Sequence, residues 1–174
     1  MTDRQPSEVT NLDRYGGPVL PWSRAHDLLA SGPMGPEVGF FLGTVRPGGR
    51  PHAAGIGAVW HDGDLYFTSG PGTRKSRNLA ANPACTISVK LPGMDLTLEG
   101  TAVRATEPAT LERVAGIYRD LDWPAEVSGD AFTAPYSAPS AGPPPWHLYR
   151  FTFRTVVGLS TAEPNGATRW RFDR

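Results

Sequence analysis

The chain has 174 residues, 39% of them hydrophobic and 20% charged, with 20 Gly and 18 Pro; this fits one turn-rich globular domain large enough to bury a core. Lys and Arg (17) balance Asp and Glu (17) at a formal net charge of zero, so no basic stripe argues for nucleic acid, and no apolar run reaches membrane-spanning length. A lone Cys85 excludes an internal disulfide and a cysteine metal cluster, and its apolar strand setting marks a buried structural thiol. A cytoplasmic enzyme or binding protein fits this profile.

Met1 to Gly17 is polar, lacks the apolar core of a signal peptide and reads as a loose leader, which puts the domain proper at 18–174. A first helix is expected from Ser23 to about Ser31, with Ser23 as N-cap, Leu28 and Leu29 facing inward and Gly32-Pro33 as the stop. Phe40 to Val45 reads as a strand, Pro47-Gly48-Gly49 as a turn and His52 to Trp60 as the return strand. Asp62-Gly63 marks a second hairpin returning through Leu65 to Ser69. A short basic helix follows, then strands over Ala84 to Lys90 and Asp95 to Ala105 around a Pro92-Gly93 turn. Pro108 to about Asp120 reads as a helix: Pro sits at its start, and Leu111, Val114, Ala115 and Tyr118 repeat at helical spacing. The Pro-, Ala- and Gly-rich run 121–145 carries Trp123, Phe132 and Tyr136 and reads as a long loop, a length usual for functional or disordered segments. Strands from Trp146 to Leu159 and from Ala167 to Phe172 close the chain around Pro164-Asn165-Gly166. This order predicts an antiparallel Greek-key-type barrel with peripheral helices.

The chemistry concentrates in Tyr66 to Pro83, YFTSGPGTRKSRNLAANP. Thr68, Ser69 and Thr73 offer hydroxyls, Gly70 and Gly72 permit close backbone approach, and the helix start offers free N–H groups. Arg74 and Lys75 sit at the positive end of a helix dipole, where two cations are unfavourable unless an anion joins them. A phosphorylated ligand is the natural occupant; a plain solvated turn is the competing reading. The loop is neither a P-loop nor a dinucleotide fingerprint. His26, His52, His61 and His147 lack metal-site spacing, and no nucleophile elbow or carboxylate pair is present.

With the hairpins, Phe67-Thr68, Thr73-Arg74-Lys75-Ser76-Arg77-Asn78-Leu79 and Asn82-Pro83 in place, the chain resembles the pyridoxamine 5'-phosphate oxidase-like split barrels. The resemblance is strongest from Phe40 to Thr106 and visible again at Thr168-Arg169-Trp170-Arg171-Phe172. It implies a homodimer with a flavin-type cofactor, FMN or F420, between subunits, family frequency leaning to FMN. It implies ring contacts from Ile56, Gly57 and Ala58, further contacts from Phe67, Thr68, Ser69 and Asn78, and a phosphate held by Thr73, Arg74 and Lys75. Trp170 would reach the ring from the partner subunit. The implied activity is hydride transfer to or from a small organic substrate; the alternative is a non-catalytic cofactor-binding protein for storage or sensing. Vitamin B6 oxidation does not carry over. Ala58 or Val59 stands where the oxidase has Lys, and Arg169-Trp170-Arg171 lacks its closing His.

Overall fold

The computed structural model describes residues 4–32 and 38–173. Alternation decides the sheet. In β2 (Phe40–Val45), Phe40, Leu42 and Thr44 face inward while Phe41 and Val45 face out, so the strand has one core side. β2 pairs antiparallel with β3 (Pro51–Ile56) on one edge and with β6 (Ala84–Leu91) on the other. β6 pairs with β7 (Met94–Arg104), and β7 with the long β10 (His147–Ser160). The other edge of β10 is shared. His147 to Phe151 pair with β5 (Asp64–Ser69), and Thr155 to Leu159 pair with β11 (Ala167–Arg171). β4 (Ala58–His61) extends the β5 branch, and β1 (Glu8–Asn11) covers β11. The result is the expected mainly-β split barrel with peripheral helices, its sheet open rather than closed.

The change of partner along β10 has a local cause. Its register against β7 shifts between Phe153 and Thr155. Opposite this bulge stands Gly100, where a Cβ would collide with the Thr152 carbonyl and lie 2.7 Å from Phe153 Cα. Only glycine lets β10 bend inward there.

Two apolar clusters result. The main one fills the barrel with Leu42, Phe67, Ile87, Leu98, Phe151, Phe153 and Trp170 and includes Trp22. The second lies under α3 (Pro108–Asp120), whose Leu111, Val114, Ala115 and Tyr118 meet Val59, Tyr66, Phe132 and Leu148. Cys85 is buried as expected, and burial pushes its thiol up to about 12, which keeps it protonated.

Four expectations are corrected. Residues 1–17 are not wholly loose, because Glu8–Asn11 pair with β11; residues 1–3 lie outside the described ones. α1 (Trp22–Ala30) starts earlier than expected, with Pro21 as N-cap and no side-chain cap. Burial of Trp22 against Phe153, Trp170 and Phe172 sets that start, so Ser23 lies inside the first turn; Pro33 lies outside the described residues. The strand His52 to Trp60 is two strands broken at Gly57, because β3 follows β2 while β4 follows β5. The 121–145 run is not one loop: β8 (Glu126–Ser128) and β9 (Ala131–Thr133) form a hairpin, and Phe132 bridges to Trp146.

Candidate functional site

β5 ends at Ser69, the chain turns through Gly70-Pro71-Gly72, and α2 (Arg74–Ala81) begins. Three hydroxyls fix this junction. Ser76 Oγ donates to Ser69 Oγ at 2.8 Å, Ser69 and Thr73 share a 2.8 Å hydroxyl contact, and the Ser76 N–H donates to Thr73 Oγ1 at 3.3 Å. Thr73 is therefore the N-cap, and its side chain is already engaged. A ligand there meets the N–H groups that helix geometry leaves free at Arg74 and Lys75.

Lys75 is the unusual residue. It is only 8% exposed, makes no hydrogen bond or ion pair with any described residue, and has no acidic neighbour in the first turn. Burial pushes its ammonium pKa down. Its ammonium is not fully buried, and no described residue supplies a counter-charge, so a nearby anion would offset its desolvation. Arg74 and Arg77 flank it on the exposed side. One turn on, Asn78 is 1% exposed; its Nδ2 donates to Thr44 Oγ1 at 2.9 Å, tying α2 to β2, and its Oδ1 is buried without a partner.

Beside this junction lies a cavity of about 410 Å³. One wall is the β3–β4 break with Ile56, Gly57 and Ala58, together with Thr68 and Ser69 at the end of β5. The rest of the lining comes largely from the end of α3 and the 121–146 segment, including Tyr118, Trp123, Tyr136 and Trp146. Tyr118 ties the walls together, its hydroxyl donating to Gly57 O at 2.9 Å. Gly70 seats the segment: a Cβ there would lie 2.5 Å from Ala141 O. The close approach expected of an anion at Gly70 is thus taken by the chain's own carbonyl, whereas Gly72 remains open.

Of the residues expected from sequence, Ile56, Gly57, Ala58, Thr68 and Ser69 share this cavity, while Thr73, Arg74 and Lys75 sit on the adjoining helix start. Phe67 is fully buried with its ring stacked on Tyr149 at 5.3 Å, so it has no side chain to offer a ligand. Trp170 is a correction. It is fully buried in its own chain, its Nε1 donating to Leu20 O at 3.2 Å and its ring edge-on to Trp22 at 5.6 Å, so it does not reach into another subunit. Its alternating position on β11 faces the core. Tyr118 and Trp123 went unassigned in the sequence. Tyr118 fits an ordinary inward helix position, and only the bond to Gly57 gives it a second role. The signal for Trp123 was the aromatic content of the 121–145 run.

These features describe an open antiparallel split barrel with a basic helix start beside a largely apolar cleft. The family model described as pyridoxamine 5'-phosphate oxidase matches residues 37–158, more than half of the chain, and the chain belongs to that family. Solved structures share the fold at low identity. A pyridoxamine 5'-phosphate oxidase-related, FMN binding protein from Nostoc punctiforme PCC 73102 is 20% identical with a TM-score of 0.54, over 90% of this chain and 92% of that one. A NimC/NimA family protein from Clostridium acetobutylicum is 19% identical with a TM-score of 0.56, over 84% and 91%. A heme binding protein from Mycobacterium smegmatis is 17% identical with a TM-score of 0.51, over 75% of this chain and 51% of that one. No curated protein matches the chain. Among the described residues no helix is long and apolar enough to cross a membrane.

Proposed function

We propose that the protein is a cytoplasmic oxidoreductase that uses a flavin-type cofactor, FMN or F420, and exchanges hydride with a small organic substrate. The observation that carries this reading is Lys75, a largely buried side chain at a helix start whose ammonium has no counter-charge among the described residues. A cofactor phosphate fits it: Lys75 and Arg74 supply charge, and the α2 N–H groups supply directional donors. The open backbone at Gly57, where a Cβ would meet nothing within 4 Å, leaves room for a ring against Ile56 to Ala58. When bound, the cofactor supplies the hydride step; the chain binds, orients and excludes water. Thr68 and Ser69 border the ring side, and Asn78 acts from behind by holding α2 on β2. FMN is preferred, in keeping with the FMN binding protein of Nostoc that shares the fold. A homodimer fits the exposed apolar Phe41, Val103 and Leu159 on the sheet.

Titration of the cofactor-free protein with FMN and with F420, followed by tryptophan fluorescence, tests the proposal. Tight binding of one cofactor, lost in the Arg74→Ala/Lys75→Ala variant, is expected; binding of neither by the wild type would overturn it. A second reading, cofactor binding without turnover, is favoured by one feature. The described cavity lining holds no carboxylate, imidazole or amine to move a proton. A bound cofactor that no reductant or substrate turns over would decide for that reading.

A further inference from the structure

Tyr118 joins two parts of the chain that no strand pairing joins. Gly57 belongs to neither ladder: β3 pairs with β2 up to Ile56, and β4 pairs with β5 from Ala58 on. A carbonyl at such a break lies outside the ladders and needs a donor from elsewhere. The Tyr118 hydroxyl supplies one, donating to Gly57 O at 2.9 Å, and it lies 3.4 Å from Tyr66 O on β5. One phenol on α3 thus spans the break and the neighbouring strand.

The hydroxyl is the restraint that matters at this position. Glycine has the widest backbone freedom, and a Cβ at Gly57 would meet nothing within 4 Å, so no packing around it limits the peptide. The Gly57–Ala58 bond is trans and planar, so a fixed carbonyl also fixes the direction of the Ala58 N–H. Tyr118 itself has little room to move. It is 6% exposed, edge-on to Trp123 at 4.7 Å and to Phe132 at 6.2 Å. Burial pushes its hydroxyl above the ordinary phenol range, which keeps the proton on the oxygen and the group a donor. The packing uses the ring; the bond to Gly57 uses only the hydroxyl.

We propose that Tyr118 is a positioning residue for the cofactor: its hydroxyl, reaching from α3, sets the orientation of the Gly57–Ala58 peptide that the cofactor ring meets. It acts through the backbone and moves no proton. The word cofactor rests on the oxidoreductase reading; the hold on the peptide rests on the bond to Gly57 O.

Tyr118→Phe in the full chain tests this, because the variant keeps the ring and loses only the hydroxyl. In the cofactor-free protein, amide hydrogen exchange across 56–59 is expected to quicken by about three- to tenfold, while β6 and β7 exchange as in the wild type and report an intact fold. Unchanged exchange across 56–59 would overturn the proposal. In titrations, the Kd for FMN or F420 is expected to rise by about three- to tenfold. The visible circular dichroism induced in the bound cofactor is expected to change as well, a signature that a plain loss of stability would not move. Quicker exchange with an unchanged Kd and an unchanged spectrum would overturn the positioning role. If the wild type binds neither cofactor while the variant still exchanges faster, the oxidoreductase reading falls and the hold on the peptide stands. A measurement on the wild type needs no variant to fold: the Tyr118 hydroxyl proton is expected as a slowly exchanging magnetic resonance signal close to the Gly57 α-protons, and its absence would overturn the proposal.

Discussion

The helix start at Thr73 to Asn78 and the aromatic wall at Trp123 to Trp146 solve opposite problems in adjoining parts of one molecule. The first holds more polarity than it can satisfy: a largely buried Lys75 side chain whose ammonium has no counter-charge among the described residues, and a buried Asn78 Oδ1 without a donor. The second is an apolar surface held in place by backbone pairing and ring contacts. The first is strained by what is absent from it, the second stabilised by what is present. Loss of the Lys75 charge should therefore help folding, whereas disturbing the aromatic wall should harm it.

Lys75→Met breaks the comparison most sharply. It should weaken phosphate-cofactor binding by about 1.5–3 kcal/mol, roughly ten- to hundredfold in Kd, as for a lost charged hydrogen bond. It should also raise the stability of the cofactor-free protein slightly, because a charge disfavoured by desolvation is gone. Paired titration calorimetry and thermal melts check both, and a fall in Tm would show that Lys75 is already satisfied in the folded chain.

Gly70→Ala probes the other region. Its Cβ would lie 2.5 Å from Ala141 O, so the 138–142 bend must move. The expected cost is about 1–3 kcal/mol in chemical denaturation. Unchanged stability would show that the bend is not seated on Gly70.

Thr73→Ala removes the cap that joins the two regions and should cost about 1 kcal/mol, with Thr73→Ser restoring most of it. Denaturant midpoints of the three proteins decide.

The smallest effect is electrostatic. The depressed Lys75 pKa means that the folded, cofactor-free protein binds fewer protons than the unfolded chain. Its stability should therefore rise with pH between that depressed value and the unfolded value of about 10.4. A bound phosphate raises the Lys75 pKa, so cofactor affinity should fall as pH climbs through the same window. Melts and titrations at stepped alkaline pH check both signs, and Lys75→Met should abolish both trends.

The helix start was legible in the sequence because it is local. Cap, cations and stop lie within Thr73 to Pro83, and the dipole argument needs nothing from outside that segment. The hairpins at Asp62-Gly63 and Pro92-Gly93 were legible for the same reason: glycine with positive φ at both Gly63 and Gly93 writes the turn into adjacent residues. The break at Gly57 was not, because nothing local distinguishes one long strand from two whose partners, β2 and β5, lie on different branches of the sheet. Trp170 shows the limit of analogy. Its place near the closing strand end suggested a ligand, yet its position on β11 faces Trp22 and the core.

By itself, then, the sequence determined the alternating strands, the capped basic helix and the family, since each is set by neighbours within a few residues or by a contiguous motif. Tertiary structure alone decided that the Lys75 side chain is largely buried with no partner among the described residues, that Tyr118 reaches Gly57 O, and that Trp123, Tyr136 and Trp146 line one cavity with Ile56 to Ala58. Burial and cavity shape depend on which distant segments come together. That depends on the bend of β10 opposite Gly100, a contact between residues about fifty positions apart that no local pattern encodes.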